Sequence, residues 1–196
     1  MPENELSCGN SRIDLTGQTA RRILIVSGER KAGKTAFCTE LAGLAFERRL
    51  TLAGVVSKAR FVKGSENGKI AWNLVSGDIR LLASTNPGEL QGNRIGVWTF
   101  DGEVTRWANA CFDQITRCDL LIVDEVGPLE LEQGKGWPAA LEALRRVEYN
   151  LAVVVIRPGL VDKGLALFPA ARILEITPGS DLPALAHEVL AGAFKG

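Results

Sequence analysis

Gly28-Glu29-Arg30-Lys31-Ala32-Gly33-Lys34-Thr35 reads G-x-x-x-x-G-K-T. The run before it, Ile23-Leu24-Ile25-Val26, is apolar and suited to a buried strand, and helical spacing follows. Strand, glycine-bounded loop and helix in that order make a phosphate-binding P-loop. A polyphosphate needs many donors close together. Glycines let backbone N–H groups turn inward with no Cβ in the way. The following helix aims its positive end at the anion. The expected nucleotide-binding set is therefore Gly28, Glu29, Arg30, Lys31, Ala32, Gly33, Lys34, Thr35 and Ala36. Lys34 should reach the β- and γ-phosphates, and Thr35 should give its hydroxyl to magnesium. The side chains of Arg30 and Lys31 either add charge near the phosphates or face water, and water is the favoured reading.

Working outward, residues 21–27 form the first expected strand. The helix from about Lys34 to Arg49 places Phe37, Leu41, Leu44 and Ala45 on one stripe. Leu52 to Ser57 reads as the next strand. The middle differs: Ile70, Trp72 and Leu74 alternate with Ala71 and Asn73, while Asn67-Gly68 and Ser76-Gly77-Asp78 are turn signals. Ile79 to Ala83 and Ile95 to Phe100 are further strands, and Asn86-Pro87-Gly88 breaks the chain between them. Residues 58–100 thus read as an antiparallel insertion. Regular alternation returns with a helical stripe of Val104, Trp107, Ala108, Cys111 and Ile115, a strand at Leu120–Val123, and a helix from Pro138 to Tyr149. Strands at Leu151–Ile156 and Arg172–Ile176 follow. Ser180 or Asp181 caps a last helix carrying Leu182, Leu185, Ala186 and Val189. Strands alternating with helices predict an α/β three-layer sandwich, its mostly parallel sheet covered on both faces.

The second half of the site is expected at Leu120-Leu121-Ile122-Val123-Asp124-Glu125. An apolar strand ending in acids delivers carboxylates to the edge where doubly wound sheets bind ligands. Asp124 should hold magnesium through its water shell. Glu125 should polarise or orient the attacking water, a role worth about 10²–10⁴-fold. Asp124-Glu125-Val126-Gly127 also fits the D-x-x-G of GTPases. Yet no N-K-x-D or T-K-x-D occurs anywhere in the chain, so guanine specificity is not supported.

The 196 residues fit one domain, long enough to bury about 70% of the unfolded surface. The 23 basic and 23 acidic residues cancel, so no global field points to nucleic acid or an anionic membrane. No aliphatic run approaches the roughly 20 residues of a spanning helix. Residues 1–20 are polar, lack the apolar stretch of a signal peptide, and read as a flexible tail. Cys8, Cys38, Cys111 and Cys118 form no C-x-x-C pair, and His187 is the single histidine. That argues against zinc and suits a reduced cytoplasm.

With these residues in hand, the chain resembles the THEP-type nucleoside-triphosphatases. Gly54-Val55-Val56-Ser57-Lys58-Ala59-Arg60 is similar to the family's G-F-x-T-x-E-x-R-like strand. Asp124-Glu125-Val126-Gly127-Pro128-Leu129-Glu130-Leu131 is similar to its Walker B segment, D-E-I-G-K-M-E-L, with Asp124, Glu125, Gly127, Glu130 and Leu131 matching. Ile95-Gly96-Val97-Trp98 looks like its V-G-x-Y. The resemblance runs from about residue 21 to 190. It implies a RecA-like P-loop NTPase domain over 21–196. It also implies Mg2+-dependent hydrolysis of a nucleoside triphosphate such as ATP or GTP, with broad base tolerance. Three positions depart: Lys31 stands where the family favours glycine, Ala36 replaces a second threonine, and Pro128 replaces a lysine. If that lysine binds phosphate, another cation must serve, and Arg157, at the end of the next strand, is the candidate. Its other reading is an exposed loop arginine.

The expectation is an NTP hydrolase with Lys34, Glu125 and Arg157 as catalytic candidates and Thr35 and Asp124 as metal ligands. A small-molecule kinase would need an acceptor pocket, which the 58–100 insertion could supply, and a lid that excludes water. A nucleotide-dependent switch acting on a protein partner is the non-enzymatic alternative.

Overall fold

A computed structural model describes residues 22–194, and the expected tail at 1–20, with Cys8, lies outside them. The parallel part of the fold is built from β1 (Arg22–Ser27), β2 (Leu52–Val62), β7 (Arg117–Val126), β8 (Glu148–Ile156) and β9 (Arg172–Glu175). The antiparallel part adds β3 (Ser65–Asn73), β4 (Ile79–Ser84), β5 (Gly92–Ile95) and β6 (Trp98–Asp101). Among the described residues these nine strands make one sheet, ordered β5-β6-β4-β3-β2-β7-β8-β1-β9. β2, β7, β8, β1 and β9 run parallel, and β3 to β6 extend the sheet by antiparallel pairing.

The apolar runs are strands because both their faces are covered. Leu151, Val153 and Val155 of β8 belong to one core, with Leu24, Val26, Leu120 and Ile122. Helices α1 (Lys34–Glu47) and α6 (Leu182–Ala193) close it through Phe37, Leu41, Ala186 and Val189. Ala152, Val154 and Ile156 belong to the other core, with Ile25, Leu121 and Val123. Helices α2 (Gly102–Asp113) and α4 (Pro138–Arg146) close that side through Ala108, Phe112, Leu141 and Leu144. Two short helices, α3 (Pro128–Gln133) and α5 (Val161–Leu167), complete the order. No helix among the described residues is long and apolar enough to cross a membrane.

Several elements differ from the sequence reading. Asn67-Gly68 lies inside β3, and the β2–β3 turn is Lys63-Gly64, with φ +51° and +79°. Two positive φ values suit a two-residue hairpin turn. Gly68 serves close approach instead: a Cβ there would lie 2.7 Å from Arg60 Nε and 3.0 Å from Ala83 O. Residues 95–100 are not one strand, because Gly96 (φ +61°) turns β5 into β6. The helix from Pro138 stops at Arg146, and Tyr149 sits in β8 opposite Cys118, its hydroxyl donating to Leu144 O at 2.7 Å. Helices α3 and α5 were not read from the sequence; each is short and lacks a full apolar stripe.

The insertion continues the main sheet because β2 bridges both parts. Leu52–Val56 pair with β7, and β3 pairs along Val55–Val62. Gly54 permits the first contact. Its φ is +114°, and a Cβ there would lie 1.9 Å from Ile122 O on β7. At the far end, Arg60 donates two 2.7 Å bonds to Glu89, which also accepts from Ser84 and from Asn86.

Gly54→Ala should destabilise the protein by about 3 kcal/mol or more, through strain plus a backbone clash. Urea titration followed by circular dichroism reads it, and an unchanged midpoint would refute the close approach. The Arg60 bond, then that of Ser84, hold the Glu89 carboxyl well down, to about 2 from an ordinary 4.5. A depressed acid supplies stability that is present above its unfolded value and lost as pH falls through its folded one. Side-chain NMR titration of Glu89 should therefore give a midpoint near 2, whereas one near 4.5 would show that the clamp does not persist in solution.

Candidate functional site

The loop Gly28–Gly33 leaves β1 and turns into α1 at Lys34. Gly28 (φ +139°) is buried against β9's extension, and a Cβ would lie 2.1 Å from Ile176 O. Gly33 (φ +110°) takes the N-cap position of α1. Lys31 is the third left-handed residue, with φ +67°. That conformation is why a glycine is the easier residue there, and lysine bears a cost of about 1–2 kcal/mol. Glu29, Arg30 and Lys31 are exposed, and so is Ala36. The first turn of α1 holds no acid, so nothing on the helix opposes its positive end. Lys34 Nζ lies over the loop, donating to Gly28 O at 2.6 Å and Glu29 O at 2.8 Å.

β7 brings its acids to the same edge. Its pairing puts Val56 of β2 level with Asp124, and β8 lies between β7 and β1. Asp124 is 1% exposed, its Oδ2 has no hydrogen-bond partner among the described residues, and the peptide to Glu125 is cis. Burial pushes its carboxyl up to about 7, opposed by a hydrogen bond from Thr35; Glu125 raises it further, and Lys69 and Lys34 lower it. Thr35, Lys34 and Asp124 are thus brought together across α1 and β7. A buried carboxylate with one orphaned oxygen, facing a threonine hydroxyl, fits a hard divalent cation with oxygen ligands. The cation would supply charge neutralisation for bound phosphate oxygens.

Glu125 stands one residue further out, with its side chain 26% exposed. Arg157, just past the end of β8, donates to its Oε1 from Nε at 2.8 Å and from Nη2. The two residues expected separately as base and cation therefore form one ion pair. Lys69 was missed in the sequence. It lies on β3 opposite Ala59, three residues beyond the level of Asp124 on β2, and only sheet pairing brings it near. His187 is remote from the loop, at 3.5 Å from Arg48 on the α1–α6 side. Trp72, Trp98 and Trp107 lie beneath Lys58, Lys69 and Arg80 respectively, and Trp137 is buried beside Phe112. A groove of about 590 Å³ lined by Phe46, Leu50, Leu74 and Val75 opens at the opposite edge of the sheet, away from this chemistry.

Comparison with known proteins gives the chain's family and its fold. The sequence model of a family described as NTPase matches residues 23–179. The nucleoside-triphosphatase THEP1 of Methanopyrus kandleri is 30% identical over 123 residues, 63% of this chain and 65% of that protein. The THEP1 of Thermofilum pendens is 27% identical over 137 residues, 69% of this chain and 74% of that protein. The match therefore spans just under two thirds of the Methanopyrus protein's own length. In three dimensions the crystal structure of THEP1 from the hyperthermophile Aquifex aeolicus aligns with a TM-score of 0.62 at 18% identity, covering 87% of this chain and 98% of that one. The solution structure of a human cancer-related nucleoside triphosphatase gives 0.65 at 17%, covering 87% and 96%. Both likenesses concern the fold, which is the α/β P-loop NTPase sandwich that the strand order builds.

The unpaired oxygen of Asp124 has a measurable cost. Asp124→Asn should raise the unfolding free energy in the presence of a chelator by about 1–2 kcal/mol, because it replaces a buried carboxyl whose burial outweighs its partners by a neutral amide. Thermal melts in EDTA read this, and a lower melting temperature would show that the carboxylate is satisfied after all.

Proposed function

The chain belongs to the NTPase family, and from that premise we propose that it hydrolyses nucleoside triphosphates to the diphosphate and phosphate, with magnesium and with broad base tolerance. The observation that carries the reading is the convergence of Lys34, Thr35 and Asp124 at the mouth of the loop. The loop amides and Lys34 bind the β- and γ-phosphates. Thr35 and Asp124 hold the cation.

Glu125 takes a proton from water as its oxygen attacks the γ-phosphorus. The bond from that phosphorus to the bridging oxygen breaks, and its electrons leave on the diphosphate. Both Arg157 contacts fall on Oε1 of Glu125, which leaves Oε2 to accept the proton. In this role Arg157 orients the base and places positive charge beside the phosphoryl group. An arginine acting on the transition state is worth about 10³–10⁵-fold in P-loop enzymes. Cytoplasmic location and action as one domain over 21–196 belong to the same proposal.

Phosphate release from ATP, GTP, CTP and UTP with magnesium tests it. Glu125→Gln should keep nucleotide binding and lower kcat by about 10²–10⁴-fold, and Lys34→Ala should remove binding. Equal release by wild type and Lys34→Ala would mark the activity as a contaminant. Transfer of phosphate to an added metabolite, with little release to water, would replace the hydrolase by a kinase.

A further inference from the structure

The segment after Glu125 is tied down by one side chain that the chemistry above does not use. Glu130 Oε2 accepts from Gly127 N at 2.8 Å, and its Oε1 accepts from Trp137 N at 2.9 Å. The first bond is half of a helix capping box on α3. The second spans seven residues and closes the loop between α3 and α4. Lys135 N adds a bond to Leu129 O at 2.8 Å. Gly136 (φ +69°) lies so close that a Cβ would sit 1.9 Å from Glu130 Oε1. The loop is thus moulded around the carboxylate.

The loop is itself anchored to the core. Asn109 on α2 donates to Gly136 O at 2.8 Å and accepts from Ala139 N at 3.1 Å. Trp137 is 5% exposed and packs on Phe112, with ring centroids 6.0 Å apart. A rigid path therefore runs from α2 and α4 through Trp137 and Glu130 to Gly127, two residues from Glu125. Both groups facing Glu130 are N–H donors. A carboxylate satisfies both, whereas an amide would set its own NH2 against one of them.

We propose that Glu130 is the positioning residue of Glu125: it fixes the backbone at Gly127 and so the place from which the Glu125 carboxylate reaches the attacking water. The inference rests on Glu125 being the base. A reacting group displaced by about 1 Å can lose about 10²-fold in rate with substrate binding intact.

The test uses the full chain with saturating ATP and magnesium, at a temperature where circular dichroism shows every variant folded. Glu130→Gln and, from the loop side, Gly136→Ala should each lower kcat by about 10- to 100-fold while the nucleotide Kd stays within about twofold. In a Glu125→Gln background neither change should lower the residual kcat by more than about twofold, because residues that act through one another are not additive. Undiminished kcat in either variant overturns the proposal. So does an equal loss in both backgrounds, or a loss confined to Kd or to melting temperature. If Glu125→Gln alone turns over at the wild-type rate, the base assignment fails, and this inference fails with it. A dead Glu125→Gln beside a fully active Glu130→Gln overturns the positioning role alone.

Discussion

Strand β8 is hydrogen-bonded in parallel to β1 on one side and to β7 on the other, and the site depends on that pairing. Val26 is level with Val155, and Val123 with Val154. Parallel strands held level finish together, so three chain exits leave the sheet at one edge. One becomes the loop into α1, one carries Asp124 and Glu125, and one carries Arg157. The carboxyl edge of such a sheet is where ligands bind. Arg157 falls between the loop and the acids because β8 falls between β1 and β7. Its ion pair with Glu125 follows from adjacent strand ends.

The same edge concentrates the unfavourable terms of the fold. A buried acceptor without a partner costs about 1–3 kcal/mol, and Asp124 Oδ2 and Ser27 Oγ are both such atoms among the described residues. Lys31 adds left-handed strain. Against a typical net stability of about 5–15 kcal/mol these are large amounts. They are offset below the edge, where the two cores are closely apolar and each fully buried aliphatic side chain contributes about 1.5–3 kcal/mol. Leu24, Leu41, Leu120 and Ile122 are among those that are fully buried. A rigid, apolar sheet holding unsatisfied polar atoms at one rim is the arrangement expected where binding will satisfy them.

One departure from the resembled family has a local physical reason. Pro128 takes the first position of α3, where a missing N–H costs nothing and a fixed φ favours the helix. The lysine expected there is gone, and the positive charge near Glu125 comes from Arg157, just past the end of β8. Gly136, Asn109 and Trp137 then hold α3 through Glu130, which gives the retained glutamate in that segment a structural partner set.

Local pattern was enough to place the loop and the acids in the chain and to predict the covered sheet. A strand of six apolar residues needs burial on both faces, and G-x-x-x-x-G-K-T has few uses besides holding phosphate. Lys34 and Thr35 were placed by that motif, Asp124 and Glu125 by the apolar strand before them, α1 and α6 by helical period, and β8 by its near-continuous apolar run. The first hairpin turn misled because Asn67-Gly68 is the stronger turn signal by sequence, and only the pairing of β2 with β3 puts the turn at Lys63-Gly64. Tertiary structure alone decided that the antiparallel strands extend the main sheet, that Lys69 lies near Asp124, that Arg157 pairs with Glu125, and that Glu130 bridges Gly127 and Trp137. Each of these joins residues that no periodicity relates. Their contacts exist because strand order and register, set by burial across the whole sheet, bring distant ends of the chain to one edge.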